Sequence, residues 1–303
     1  MKVRGYGARY ATSVFEANMP GALYIVATPI GNLEDMTLRA IRVLKEADVI
    51  AAEDTRHTRH LLGHFQIGTP LTSYHDHNKE EKAPVLVSRM KEGAKVALVC
   101  DAGTPTLSDP GYYLINQAAS AGVPVVAVPG PSAVTAALSV AGLPTDAFCF
   151  EGFLPSRAAA RRKKLAALAA EPRTIVLFEA PHRLIRTIED VADAFGRDRR
   201  IAVCREMTKV HEEVVRGTLD EVVAGLSGKT TRGEVTVVIE GAGKDRVSTA
   251  PEEPLEERLR RMIVADGMGV KEASSLLARE TGRSRREIYA LAVAITQSRR
   301  SAP

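Results

Sequence analysis

Cysteine is scarce: Cys100, Cys149 and Cys204 lie far apart, each in or beside an apolar run. That spacing excludes a disulfide framework and a thiolate zinc site, and it fits buried, reduced thiols in the cytosol. Long apolar runs are also missing, and none approaches the ~20 residues that span a bilayer. Residues 1–20 mix Lys2, Arg4 and Arg9 with polar neighbours and contain no apolar h-region, so they read as a disordered extension or an early start codon rather than a secretory signal. No G-x-G-x-x-G follows a strand, no Walker A run occurs, and there is no G-x-S-x-G elbow. The dinucleotide fingerprint, P-loop chemistry and the hydrolase triad are thereby set aside. Nor is there much charge of either sign in excess. Lys and Arg total 41 against 37 Asp and Glu, a net +4 that favours a polyanionic partner only mildly.

What is present is ordinary globular material. The chain has 303 residues, 45% hydrophobic and 26% charged, which suits two domains. Short apolar runs such as Val96–Val99 alternate with helical patterns between residues 22 and 140. That alternation predicts a mostly parallel sheet covered by helices on both faces. In the first of those helices, Leu38, Ile41 and Leu44 share a face. Near residue 147 the pattern changes to strands rich in Val and Thr, read as a second, mixed α/β domain over 147–242. Within it, Thr208–Gly217 and Val235–Ile239 are expected to pair antiparallel. Residues 243–254 read as a linker. Residues 255–303 read as a helical module resembling a helix-turn-helix unit, whose alternative role is a packing appendage. The fold class is therefore α/β in residues 21–146 and again in 147–242, with a helical C-terminus.

The densest concentration of backbone-fixing residues follows Val99: Cys100-Asp101-Ala102-Gly103-Thr104-Pro105, then Ser108-Asp109-Pro110-Gly111. Glycine lets a ligand approach the main chain and proline freezes φ. Asp101 stands at a strand's carboxyl end, where open α/β sheets bind ligands. Thr28-Pro29-Ile30-Gly31 and Pro129-Gly130-Pro131-Ser132-Ala133 also close strands, so all three loops should open at one rim. Their small side chains and carbonyls suit a neutral-to-cationic small molecule. His57, His60 and His64 have helical spacing for a metal, but Arg56 and Arg59 beside them disfavour a cation, and no metal site is expected.

These loops, together with Glu53-Asp54-Thr55-Arg56, Phe178-Glu179-Ala180-Pro181-His182-Arg183, Arg205-Glu206-Met207-Thr208-Lys209 and Gly233-Glu234-Val235-Thr236, resemble the ribosomal RNA methyltransferases of the tetrapyrrole methylase superfamily. The resemblance runs in order from about residue 22 to the C-terminus. It implies a two-domain methylase fold, a homodimer, a cytoplasmic location and S-adenosylmethionine (SAM) as cofactor. It also implies methyl transfer to the ribose 2′-OH of a cytidine in the decoding region of 16S rRNA in the 30S subunit, with no membrane or DNA partner. By motif position, Pro29, the Asp101–Pro105 loop (Asp101, Ala102, Gly103, Thr104, Pro105), Ser132 and Ala133 should contact SAM from the first domain. Phe178, Met207, Glu234, Val235 and Thr236 should do so from the second.

A ribose hydroxyl is a poor nucleophile until a base takes its proton. Glu206 paired with Lys209 is the favoured candidate, and Glu179 the next. The cluster Arg157, Arg161, Arg162, Lys163 and Lys164 is expected to grip the RNA backbone. Two rivals stand beside this reading: a methylase acting on porphyrinoid carbons, and a noncatalytic RNA-binding assembly factor.

Overall fold

A computed structural model describes residues 21–107, 111–228, 232–243, 255–265, 268–281 and 283–300. The N-terminal extension (1–20), Ser108-Asp109-Pro110 and nearly all of the linker (244–254) lie outside the described residues.

The first sheet consists of β1 (Ala22–Val26), β2 (Val49–Ala52), β3 (Leu71–Ser73), β4 (Lys95–Val99) and β5 (Val125–Val128). Its order is β3-β2-β4-β1-β5 and every pair is parallel. Helices α1 (Leu38–Glu46), α2 (Thr55–His64), α3 (Lys79–Lys91) and α4 (Gly111–Ser120) link the strands. β2 and β4 are apolar and buried on both faces, as helix-covered parallel strands must be. One face packs on Leu44, Ile50 and Leu62, the other on Leu86, Met90 and Leu114. α1 buries Ala40, Val43 and Leu44 and leaves Leu38 exposed at 87%, so the expected stripe is rotated by a residue. The side chain of Thr37 caps this helix by accepting from Ala40 N, which makes Leu38 its first residue.

Helix α5 (Ala133–Ala141) joins the two sheets. It begins directly after the β5 loop, yet Val134, Ala137, Leu138 and Ala141 pack against Val176, Ala202, Cys204 and Val238 of the second sheet. That sheet comprises β6 (Phe148–Phe153), β7 (Thr174–Glu179), β8 (Arg200–Arg205), β9 (Glu213–Thr218) and β10 (Val235–Ile239), ordered β6-β7-β10-β8-β9. Only β6 and β7 are parallel; the other pairs are antiparallel. Helices α6 (Ala158–Leu168), α7 (Leu184–Phe195) and α8 (Leu219–Leu226) cover its other face.

The expected β9–β10 pairing is corrected: β8 lies between them. A short connection after Arg205 forces β9 back along β8, and α8 then crosses to deliver β10 into the gap between β7 and β8.

The described residues divide into two compact units, one ending at Gly241 and the other starting at Ala242. Both sheets belong to the first. In the second, α9 (Leu255–Arg260) runs on into a π-type stretch, Arg261–Ala265, followed by α10 (Val270–Thr281) and α11 (Arg285–Arg300). Leu259, Met262, Ala273, Leu277, Ile288 and Ala292 form its core, while Leu276 is exposed. Among the described residues no helix is long and apolar enough to cross a membrane.

Candidate functional site

Because β4, β1 and β5 are adjacent and parallel, their carboxyl-end loops emerge side by side. The loops are also tied to one another. Thr28 and Gly103 exchange both backbone hydrogen bonds at 2.9 Å, and the Thr28 hydroxyl donates to the Cys100 carbonyl at 3.1 Å. The Thr104 hydroxyl donates to the Pro131 carbonyl at 3.0 Å. Gly103 sits at φ +83°, with Ile30 Cγ2 only 3.3 Å from where a Cβ would stand. Gly103→Ala is therefore expected to cost about 1–2 kcal/mol in urea unfolding, because an L side chain resists positive φ.

These loops face the ends of β7 and β10 across a cavity of about 390 Å³, within the ~300–1,000 Å³ usual for small-molecule sites. Ile30, Cys100, Leu107 and Ala133 supply apolar wall from the first lobe, and Phe153, Phe178, Pro181 and Val235 from the second. Phe153 reaches the wall through a bulge. The register of β6 shifts between Phe150 and Gly152, so Phe150 pairs with Val176 and Phe153 with Phe178, two residues on. Both rings thus stand on one face and meet Phe178 edge-on, at 4.8 and 5.7 Å.

The polar wall has one sign. Glu53, Asp101, Glu179 and Glu234 line the cavity, and no Lys, Arg or His does so among the described residues.

Beside it lies a second compartment of about 500 Å³ that shares Ile30, Asp101, Ala102 and Glu234 and adds His57, His60 and Lys209. Asp101 holds this region together: its Oδ1 accepts from the Asp54 N–H at 3.1 Å, and Asp54 in turn caps α2. The N–H groups of Arg56 and His57 keep the Asp54 carboxyl below its ordinary value. Across the compartment, the Lys209 stem lies against Gly31. Its ammonium donates to Glu206 Oε1 at 2.8 Å and to Glu234 Oε2 at 3.3 Å.

A family model of the tetrapyrrole (corrin/porphyrin) methylases matches residues 22–223. The ribosomal RNA small subunit methyltransferase I of Synechocystis sp. is 47% identical over 90% of this chain and 98% of its own length. The chain belongs to the ribosomal RNA small subunit methyltransferase I family. The family's protein from Halalkalibacterium halodurans is 46% identical over 89% of this chain and 93% of its own. Among solved structures, uroporphyrin-III C-methyltransferase from Thermus thermophilus, complexed with S-adenosyl homocysteine, shares the fold. Its TM-score is 0.51 at 22% identity, covering 74% of this chain and 98% of that one.

Within this ribosomal RNA small subunit methyltransferase I fold, the residues singled out by motif fall into three groups. Asp101, Ala102, Ala133, Phe178, Glu234, Val235 and Thr236 line the first cavity. Pro29 lines the second compartment instead. Gly103, Thr104, Pro105 and Ser132 build the loops behind the wall, and Met207 packs into the core under α5.

The candidate bases are all engaged. Glu206 Oε1 takes both Lys209 and the Glu234 N–H, and these bonds, the lysine's first, hold its carboxyl below the ordinary glutamate value. Burial works against the Lys209 ammonium, but Glu206 and Glu234 outweigh it and raise its pKa. Glu179 is buried, accepting from the Thr187 hydroxyl at 2.5 Å and from Ala180 N at 2.7 Å, with Arg183 3.3 Å away.

The basic cluster is corrected at one position. Arg161 is not a surface cation: its guanidinium is buried and bonded to Asp190 at 2.6 Å. Arg162 reaches the same carboxylate at 2.9 Å from the surface, and Lys164 pairs with Glu151 at 3.1 Å. Arg157 and Lys163 are exposed. Sequence reasoning passed over Phe153, whose only signal is a phenylalanine ending a strand, and it considered His57 and His60 solely as metal ligands. No group of three or more His, Cys, Asp or Glu suited to a metal occurs among the described residues.

Proposed function

We propose that this methyltransferase uses SAM to methylate the ribose 2′-OH of a cytidine in the decoding region of 16S rRNA. The observation that carries the donor assignment is the first cavity: apolar and aromatic walls, four carboxylates, of which Glu179 and Glu234 are paired with Arg183 and Lys209, and no cation among its described lining. Such a wall stabilises a positively charged small molecule and repels an anionic one. These residues fit SAM. Asp101, Ala133, Phe178, Glu234 and Thr236 would hold it, with Pro29, Met207 and the Gly103–Pro105 backbone in support. The bound cofactor supplies an electrophilic methyl group on a sulfonium. The choice of rRNA as acceptor rests on relatives that match nearly end to end.

The protein's own contribution is alignment, and well-oriented reactants gain up to ~7–11 kcal/mol. The cross-linked loops and the bridging helix α5 keep both walls in register for that purpose. Glu206 and Lys209 serve in this reading to clamp β10 to the first lobe rather than to move a proton. Glu206→Gln is accordingly expected to keep methyl transfer within about tenfold of wild type. A loss of ~10²–10⁴-fold at unchanged SAM affinity would instead make Glu206 the base. Exposed Arg157, Arg162 and Lys163, with half-buried Lys164 beside them, are taken to meet the RNA backbone. The working unit is proposed to be a cytoplasmic homodimer, which sedimentation of the purified protein reads directly.

The functional test is tritiated-methyl transfer from SAM to 30S subunits and to naked 16S rRNA, followed by mapping of the modified sugar. Label on a cytidine 2′-oxygen supports the proposal. Label on a base, or on a porphyrinoid carbon with none on RNA, refutes it.

A further inference from the structure

Nothing above accounts for the second compartment, whose wall differs in kind from the first. We propose that it is the acceptor subsite, taking the ribose and adjoining phosphates of the target nucleotide, with His57 and His60 as its RNA-contacting side chains. This rests on the methyl-transfer reading given above.

The two chambers adjoin. Ile30, Asp101 and Ala102 belong to both walls, so a sugar seated in the second compartment lies against the contents of the first. Transfer needs the reacting atoms within about 3–3.5 Å of each other, which adjoining chambers permit.

Their walls also differ in charge. The first cavity's lining carries carboxylates and no cation, which disfavours an RNA strand, whereas the second compartment adds two imidazoles and Lys209 to Asp101 and Glu234. His57 and His60 are three residues apart on α2 and therefore share a face. The helix continues the same character outward: Arg56, Arg59 and His64 are exposed, and Thr55–His64 contains no acidic residue. Lys209 is already balanced by Glu206 and Glu234, which leaves phosphate contact to α2.

α2 is not a loosely attached basic helix, because Asp54 caps it and Asp101 grips the Asp54 N–H. The residue that walls the donor cavity thus also sets the position of the imidazoles.

The test compares variants for SAM affinity by calorimetry and for kinetics on 30S subunits. His57→Ala with His60→Ala is expected to raise KM for the RNA substrate about tenfold or more, while kcat and SAM affinity stay within about twofold. Arg56→Ala with Arg59→Ala is expected to lower the slope of log affinity against log salt by about two, one per phosphate contact. Both histidines are exposed, so truncation removes no core contact. His60→Glu provides a second reading, since a carboxylate added beside Asp101 and Glu234 must weaken RNA binding further than alanine does. Unchanged KM and salt slope in an enzyme that still methylates rRNA would overturn this inference alone. Loss of SAM affinity in the histidine variant would also overturn it, by making the compartment part of the donor site. A wild-type protein that methylates no rRNA would overturn both this inference and the function it rests on.

Discussion

Replacing Asp190 by asparagine is expected to lower the unfolding free energy by about 3–5 kcal/mol, the usual consequence of removing one partner from a buried ion pair. Asp190 and Arg161 are each only 7% exposed, and Arg161 Nε donates to Oδ2 at 2.7 Å. Asparagine offers one neutral amide oxygen in place of a charged carboxylate, so the guanidinium buried in the packing of α6 on α7 keeps only neutral acceptors, that oxygen and the Ser156 carbonyl 3.3 Å from Nη1. Replacing both residues with apolar side chains of similar size should recover most of the loss, because no buried charge then remains.

The same pair sets a pH dependence. Burial pushes the Asp190 carboxyl up, but hydrogen bonds from Arg162 and Arg161 outweigh it and the net shift is downward. A carboxyl lowered by folding contributes stability fully above the unfolded value, about 3.9 for Asp, and loses it as pH falls through the folded value. Urea unfolding at neutral pH should therefore show the full gap between wild type and Asp190→Asn, and the gap should narrow below about pH 4. An equal gap at both would contradict the assignment.

Asp101→Ala is expected to lower kcat/KM for methyl transfer by about 10²-fold or more, the scale at which a small misplacement of reactants acts. The residue does two jobs. Its charge faces the donor cavity, and its Oδ1 fixes the start of α2 through Asp54. Asp101→Asn separates them, since the amide oxygen still accepts from the Asp54 N–H while the charge is gone. The asparagine variant should hold KM for 30S near wild type but weaken SAM binding, whereas alanine should damage both. Calorimetry with SAM and steady-state kinetics on 30S subunits distinguish the two, and full activity in the alanine variant would remove Asp101 from the site.

Part of this arrangement is legible in the sequence. Strand ends rich in glycine and proline could be placed on one rim because parallel strands separated by helices leave no other arrangement for Thr28–Gly31, Asp101–Pro105 and Pro129–Ala133. The pairing of β9 could not be read, because Val- and Thr-rich strands fit any antiparallel neighbour and the order is settled by where α8 returns the chain. Arg161 looked like its neighbours because its partner, Asp190, lies on another helix and four adjacent cations mask one that turns inward. α5 gave no sign that a helix beginning on one sheet would bury its face on the other. For His57 and His60 the spacing was visible and the meaning was not, since what stands opposite them, Lys209 and Glu234, comes from the far lobe.

The most direct measurement is a crystal structure with S-adenosylhomocysteine bound. The account predicts the ligand in the cavity between the Asp101 loop and the ends of β7 and β10, its sulfur on the side of the carboxylates and the second compartment still open. A ligand filling the histidine-lined compartment, or bound outside this rim of the parallel sheet, would contradict it.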